Sequence, residues 1–200
     1  MNILFVCTGN TCRSPMAEAL IRHIIPDVNV QSAGIFAVDD QRPNSKAIKA
    51  LEHKNIPIDS RSQPVTDILL DWADLVITMT TQHKQSLIMQ HPDFQEKYFT
   101  LKEYVSESDK KIWNELTKAY ADLEEKRSKI IQENQHQISN PKLEKKLAEE
   151  LEADINNIRY LEANIINYDI SDPFGGSLET YQKTLEELEK YVGLLAKKIK

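Results

Sequence analysis

The stretch that decides the fold is residues 2–14, NILFVCTGNTCRS. It opens with the apolar run 3–6, which has the length and composition of a buried β-strand. It closes at Ser14, where a proline follows and a helical pattern begins. Five residues separate Cys7 from Arg13 in the loop between them. The stretch therefore predicts a strand, a short loop and a helix in sequence.

Such a loop, wrapped over a helix N-terminus, can turn its backbone N–H groups inward and bind an anion. Gly9 permits a positive φ, and Asn10 is among the few non-glycine residues that tolerate one. Arg13 can offer two parallel N–H donors to two phosphoryl oxygens. Beneath these donors Cys7 is expected to favour its thiolate at neutral pH. The pattern predicts a nucleophile inside an oxyanion cradle, the alternative being a buried cysteine beside an exposed arginine.

The segment 7–19, CTGNTCRSPMAEA, resembles the phosphate-binding loop of the low-molecular-weight protein tyrosine phosphatase family. Within that family the chain is most similar to the protein-arginine-phosphatase branch. The resemblance covers residues 1–104 and 172–200, which we expect to form the phosphatase domain. It implies an α/β fold with a four-stranded parallel sheet in flavodoxin-like order and helices on both faces.

The order of elements in the chain agrees with this fold class. Further strands are predicted at 28–34, 74–79 and 98–101, and helices at 16–25, 45–54, 66–72, 80–91 and 178–200. Thr66 and Ser177 are expected to cap their helices. Strands that alternate with helices favour a parallel sheet, and ligands bind beyond the carboxyl ends of its strands. Cys7 would lie there.

The resemblance implies roles for further residues of the loop and its surroundings. Phosphate and substrate binding are implied for Thr8, Gly9, Asn10, Thr11, Cys12, Ser14 and Phe174. Ser14 is expected to donate to the sulfur of Cys7, and Ser32 to support Asn10 by a hydrogen bond. The alternative for Ser32 is an ordinary serine at a strand end. Many relatives carry a histidine near Ser60 that braces the loop, and this chain has none there.

A second functional loop is predicted at residues 172–176, DPFGG. Phosphoryl transfer from a side chain needs a proton for the departing atom, and a carboxylic acid can supply it. The segment matches the acid loop of the family, so we expect Asp172 to act as general acid and then as base. The alternative is a plain turn before the last helix.

The side chain at position 11, a threonine, bears on which phosphorylated residue is the substrate. Tyrosine-specific relatives usually carry a bulky aliphatic residue there, and arginine phosphatases carry a threonine. The resemblance therefore implies phosphoarginine in proteins as the substrate, with phosphotyrosine as the first alternative. A non-catalytic adaptor that binds phosphorylated residues is an alternative of another class. Arsenate reductases of this fold need additional redox cysteines, and this chain has only Cys7 and Cys12.

Composition limits the remaining possibilities. The net charge of −6 argues against general nucleic-acid or anionic-membrane binding. No apolar run is long enough to span a bilayer, and the N-terminus lacks the basic start of a signal peptide, so we expect a cytoplasmic enzyme. Two cysteines exclude a disulfide framework and a cysteine-based zinc site. Cys12 is predicted either to pack in the loop or to act as a resolving thiol for an oxidised Cys7.

No cofactor and no metal are predicted. The histidines lack metal-ligand spacing, and we expect each to be a surface or helix histidine: His23, His53, His83, His91 and His136.

Residues 105–171 interrupt the family pattern and are predicted to form an inserted αα-hairpin within 109–167. The first helix would carry an apolar stripe of Ile112, Leu116, Ala119, Leu123 and Ile130. The second would carry Leu143, Leu147, Leu151, Ile155, Ile158, Leu161 and Ile165. Asn140 is expected as its N-cap and Pro141 as its first helical residue. The hairpin would be either a self-packed protrusion or a surface for a protein partner or self-association.

Overall fold

The computed structural model describes residues 1–106, 108–134, 139–164 and 167–200. Contacts divide the chain into two compact units. Unit 1 comprises Met1–Val105 and Tyr168–Lys200, and unit 2 comprises Ser106–Asn167. From the sequence, we expected the boundaries between the phosphatase domain and the insertion at 104/105 and 171/172. The two units divide at 105/106 and 167/168 instead.

Unit 1 is built on a four-stranded parallel sheet. Its strands are β1 (Asn2–Cys7), β2 (Asn29–Gly34), β3 (Leu75–Thr78) and β4 (Tyr98–Thr100), in the order β2-β1-β3-β4. In the register of the centre, Val6 lies between Ala33 of β2 and Thr78 of β3. The predicted parallel sheet and its flavodoxin-like order are confirmed. The strand that ends at Cys7, β1, is one of the two central strands.

The helices are α1 (Arg13–Ile24), α2 (Ser45–Glu52), α3 (Asp67–Trp72), α4 (Thr81–Gln90), α5 (Leu101–Val105), α6 (Ser108–Asn134), α7 (Asn140–Ala163) and α8 (Leu178–Ile199). A 3₁₀ helix covers Pro92–Lys97. The sequence analysis missed this helix and α5, because neither is long enough to show a helical period. The predicted caps of α3 and α8 are confirmed, since Thr66 Oγ1 and Ser177 Oγ accept backbone N–H groups of their first turns.

The sheet separates two hydrophobic layers, because successive side chains of a strand point to opposite faces. Ile3 and Phe5 of β1 face one layer, which contains α1, α2 and α8. Leu4 and Val6 face the other layer, which contains Leu70 of α3 and Leu87 of α4. The prediction of helices on both faces is therefore confirmed. Burial on both sides fixes β1, and with it the position of the loop that follows.

Unit 2 is an antiparallel pair of helices. Leu116 of α6 packs in a buried cluster with Ile158 and Leu161 of α7. Further along, the Nζ of Lys126 lies 2.7 Å from the Oδ2 of Asp154. Contacts thus pair rising residue numbers in α6 with falling ones in α7. The predicted helical hairpin is confirmed, and the apolar residues of this cluster pack within the hairpin itself.

Two details of α7 differ from the prediction. The N-cap is Ser139, so α7 begins with Asn140 and Pro141 follows within its first two positions. Ser139 has the extended backbone of a cap, and its carbonyl accepts the N–H groups of Lys142 and Leu143. Proline suits either early position because the first N–H groups of a helix have no helical partner. The helix ends at Ala163, before the predicted 167, and Ile165 lies outside the described residues.

No described helix is long and apolar enough to cross a membrane.

Candidate active site

The site starts where β1 ends. Cys7 is its last residue and is 3 % exposed. Helix α1 begins at Arg13, three residues earlier than predicted from position 16, with Cys12 in the N-cap position and no side-chain cap. First-turn N–H groups that no cap occupies are available to an anion. The Oγ of Ser14 lies 3.0 Å from the Sγ of Cys7, as expected of a donor to the sulfur.

Asn10 links the loop to β2. Its φ of 54° is the left-handed conformation expected from the sequence. Its Nδ2 donates to the Oγ of Ser14 at 2.9 Å and to the Oγ of Ser32 at 2.8 Å. Its Oδ1 accepts the backbone N–H of Gln63 at 3.0 Å. Because these hydrogen bonds satisfy a buried amide, they offset the cost of the left-handed backbone.

Glu18 extends this hydrogen-bonded chain, and the sequence analysis missed it. The Oγ of Ser32 donates to the Oε2 of Glu18 at 2.5 Å, so the serine oxygen remains free to accept from Asn10. The Oε1 of Glu18 pairs with Arg22 at 2.8 Å. Burial raises the pKa of Glu18, and the hydrogen bond from Ser32 and the charge of Arg22 oppose this. A carboxylate on the buried side of α1, one turn beyond Ser14, was the available signal.

Arg13 connects the loop to residues 172–176, the predicted acid segment. Its guanidinium is buried, and Nη1 donates to the carbonyl of Ile170 at 3.2 Å. Nη2 donates to the Oδ2 of Asp172 at 2.9 Å. The structure therefore brings two of the three predicted catalytic side chains into contact. The carbonyl of Ile170 carries no signal in the sequence, because any residue has one.

The acid segment turns sharply after Asp172. The Oδ1 of Asp172 accepts the N–H of Phe174 at 3.1 Å, and Gly176 donates to the carbonyl of Pro173 at 2.9 Å. Gly175 has a φ of 77°, which favours glycine. Half of the Asp172 side chain is exposed, and Phe174 is mostly exposed beside it. Because Asp172 contacts Arg13, a ligand at the loop can reach its carboxyl.

Thr11 and Cys12 form the part of the loop that faces α2 and α8. The carbonyl of Thr11 accepts the N–H of Asn44 at 2.8 Å. The Sγ of Cys12 lies 3.7 Å from the Oγ1 of Thr11 and 3.3 Å from the hydroxyl of Tyr181. Burial raises the pKa of the Cys12 thiol. Cys7 and Cys12 are both free thiols, and a resolving role for Cys12 stays a prediction.

His83 is a helix histidine, one of the two possibilities expected from the sequence, but it also contacts the loop, which the sequence analysis did not predict. It lies on α4 but is 7 % exposed, and its Nε2 is 2.9 Å from the Oγ1 of Thr8. Its Nδ1 is 2.9 Å from the Oγ1 of Thr80. Burial, followed by the charge of Arg13, lowers the pKa of His83 to about 4. The spacing of histidines alone could not show this contact, which depends on β1 and β3 being neighbours.

None of the other described histidines is among the residues placed at the site above. His136 lies outside the described residues. Among the described side chains, no group of three or more His, Cys, Asp or Glu residues could hold a metal ion.

Comparison with known proteins bears directly on this geometry. The profile of the family described as low molecular weight phosphotyrosine protein phosphatase matches residues 2–157. This chain belongs to that family. The predicted membership is confirmed, and the protein is a cysteine-dependent protein phosphatase.

Individual relatives cover the whole chain. The protein-arginine-phosphatase of Bacillus subtilis is 35% identical, over 100% of this chain and 97% of its own length. The low molecular weight protein-tyrosine-phosphatase PtpB of Staphylococcus haemolyticus is 28% identical, over 98% of this chain and 97% of its own length. A solved YwlE arginine phosphatase mutant with a phosphorylated active-site serine matches with a TM-score of 0.68 and 34% identity, covering 100% of this chain and 95% of that one.

Proposed function

We propose that this phosphatase removes phosphate from phosphoarginine side chains of proteins through a phosphocysteine on Cys7. The observation that carries the proposal is likeness over the full length to the protein named protein-arginine-phosphatase, at 35% identity. One full-length relative named for tyrosine, that of Staphylococcus haemolyticus, is 28% identical. The threonine at position 11 supports the same branch. A cytoplasmic location, expected from the sequence, is part of the proposal.

In the first step the Cys7 thiolate attacks phosphorus in line with the departing nitrogen. The S–P bond forms and the P–N bond breaks, and the nitrogen takes the proton of the Asp172 carboxylic acid. Arg13 and the N–H groups of residues 8–13 hold the equatorial oxygens of the phosphoryl group. In this structure the guanidinium of Arg13 donates to the carboxyl of Asp172. The incoming phosphoryl group replaces that carboxyl as the acceptor, and Asp172 is then free to contact the leaving group.

In the second step water attacks the phosphocysteine. Asp172, now a carboxylate, accepts a proton from the water as the new O–P bond forms. The S–P bond breaks and returns the thiolate of Cys7, to which Ser14 donates from 3.0 Å. Inorganic phosphate leaves, and Asp172 is again an acid for the next cycle. Buried Asn10 and Ser32 keep Ser14 in place throughout.

The leaving group explains why Thr11 and Asp172 would select arginine. A guanidinium is planar and has several N–H donors, and the half-exposed carboxyl of Asp172 beside the loop can accept a hydrogen bond from it. A small side chain at position 11 leaves room that a bulky aliphatic residue would fill. Phosphotyrosine has a phenol as its leaving group, which has no N–H to donate to that carboxyl.

Two other functions are weaker. An adaptor needs no nucleophile, whereas here Ser14 lies within hydrogen-bond distance of the Cys7 sulfur and Arg13 contacts Asp172. An arsenate reductase of this fold needs cysteines beyond the two in this chain.

The test compares matched phosphoarginine and phosphotyrosine peptides as substrates for the wild type, Thr11→Ile and Thr11→Ser. We expect the wild type to prefer phosphoarginine, and Thr11→Ile to shift the ratio of kcat/KM toward phosphotyrosine. Thr11→Ser is the matched control, because it keeps a small hydroxyl side chain and should keep the preference. A wild-type preference for phosphotyrosine would overturn the substrate assignment and leave the chemistry of the loop intact. Failure to cleave either peptide with Cys7 reduced would favour the adaptor.

A further inference from the structure

We infer that His83 is a positioning residue for phosphoryl transfer: its Nε2–H donates to Thr8, so that the Thr8 hydroxyl donates to an oxygen of the transferring phosphoryl group. This rests on the proposed role of residues 7–14 as the phosphoryl cradle. It adds a side-chain donor to the backbone N–H groups and Arg13.

The ring of His83 is held at both nitrogens. Thr80 is the N-cap of α4, and its Oγ1 accepts the backbone N–H of His83 at 3.1 Å. The same oxygen lies 2.9 Å from Nδ1, and the Oγ1 of Thr8 lies 2.9 Å from Nε2. The ring therefore spans the gap between the start of α4 and the residue that follows the nucleophile.

The proton count at these atoms favours one arrangement. A neutral imidazole has a single N–H, so one nitrogen donates and the other accepts. Thr80 Oγ1 already accepts from the backbone, and its own proton is available to donate to Nδ1. The ring proton then lies on Nε2 and is donated to Thr8. Thr8 keeps its hydroxyl proton for another acceptor, and it lies on the exposed side of the loop.

The electrostatic surroundings keep the ring neutral. Burial and the positive charge of Arg13 both oppose protonation, and Asp169 and Asp172 favour it. The balance lowers the pKa of His83 to about 4, so the ring is neutral at physiological pH. A neutral ring can accept from Thr80 and donate to Thr8 at once, whereas an imidazolium could only donate.

His83 also completes the support of the loop. Asn10 is held from β2, which flanks β1 on one side, through Ser32. His83 follows β3, which flanks β1 on the other side, and contacts Thr8. Thr8 and Asn10, the residues on either side of Gly9, are thus held from the two strands that flank β1.

The experiment is a double-mutant cycle of Thr8→Val and His83→Ala. It measures kcat/KM for an aryl phosphate and the competitive inhibition constant of inorganic phosphate, with the melting temperature as a separate readout. We expect each single variant to lose on the order of tenfold in kcat/KM, less than the roughly 100-fold for removal of an oxyanion-hole donor, because the backbone N–H groups and Arg13 remain. Phosphate inhibition should weaken in both. The double variant should be no worse than the weaker single one, because both substitutions remove the same donor.

Two further variants separate positioning from mere packing. His83→Gln carries an amide N–H near the place of Nε2 and should recover most of the loss. His91→Ala is the control, because His91 is the C-cap of the same helix and pairs with Asp67 instead. Its kinetics should equal those of the wild type.

Several outcomes would overturn the inference. Losses that multiply in the double variant would mean that Thr8 and His83 act independently. Unchanged phosphate inhibition in Thr8→Val would place the ring proton on Nδ1, with the Thr8 proton bound to the ring. A lower melting temperature in His83→Ala with unchanged kinetics would leave only a packing role. The aryl phosphate reports phosphoryl transfer to Cys7, and only a wild type that hydrolyses neither it nor a phosphoarginine peptide would overturn the proposed function as well.

Discussion

Asn10 shows how much of the site one residue carries. It adopts the left-handed backbone, donates to Ser14 and Ser32 and accepts from Gln63. Its conformation and the bond to Ser32 were expected from residue type and family resemblance. The bond from Gln63 was not, because it uses a backbone N–H from a loop distant in the chain. The type of a residue thus predicts its backbone conformation better than it predicts its hydrogen-bond partners.

At the same scale, Asp172→Ala should separate chemistry from binding. We expect kcat to fall about 100-fold or more, because the leaving group loses its acid. Inorganic phosphate should inhibit about twofold to fivefold more tightly, because Arg13 no longer pairs with a carboxylate at 2.9 Å and such half-exposed pairs are weak. Steady-state kinetics with phosphate as inhibitor measures both. Asp71→Ala, an exposed carboxylate of α3, is the control. Weaker phosphate inhibition in Asp172→Ala would contradict the competition between carboxylate and phosphate.

Among the elements, the contact between α5 and α8 holds the segment that leads to Asp172. Lys102 of α5 lies 2.7 Å from the Oε1 of Glu187 of α8 and donates to the carbonyl of Asp169 at 2.7 Å. The Oε2 of Glu187 accepts from the N–H and the hydroxyl of Ser171 at 3.1 and 2.7 Å. The residue before Asp172 is therefore tied to a helix by two hydrogen bonds.

The contacts of Glu187 with Lys102 and Ser171 predict that the free energy of unfolding depends on pH. Burial acts to raise the pKa of Glu187, but Lys102 and Ser171 outweigh it and hold the pKa below the ordinary 4.5. The unfolded chain thus binds this proton more readily than the native protein, so the stabilisation is complete above pH 4.5 and is lost as the pH falls through the native pKa. Glu187→Gln should lower the free energy of unfolding by about 2 kcal/mol at neutral pH and converge with the wild type in acid.

Chemical denaturation from neutral to acidic pH tests this, with Glu186→Gln, the exposed neighbour, as control. We also expect kcat of Glu187→Gln to fall, because the segment that carries Asp172 loosens. Parallel stability curves for Glu187→Gln and the wild type would show that Glu187 does not cause the pH dependence.

Over the whole molecule, every residue of the proposed site lies in unit 1, and unit 2 has a buried cluster of its own. Replacement of residues 106–167 by a short Gly-Ser linker should therefore leave a folded protein that hydrolyses an aryl phosphate at the wild-type rate. Cooperative unfolding and kcat/KM are the measurements, and the full chain with such linkers at both junctions is the control. Loss of cooperative unfolding would show that unit 1 depends on the hairpin, and a gain in activity would show that the hairpin inhibits. A partner for the hairpin stays a prediction.

The sequence by itself determined the parallel sheet, the family, the helical nature of the insertion and the caps at Thr66 and Ser177. These follow from periodicity, cap chemistry and a short loop whose residues depend mainly on their neighbours in the chain. Only the tertiary structure decided that Glu18, Gln63, His83 and the carbonyl of Ile170 surround the loop. Gln63, His83 and Ile170 reach the loop because segments distant in the chain pack side by side, whereas Glu18, on the helix that follows the loop, contacts Ser32 of β2. Ile170 acts through its carbonyl and Gln63 through its backbone N–H, which are groups that do not distinguish one residue type from another. Burial then decided the rest, since it keeps His83 neutral and requires a partner for each polar group beside Cys7.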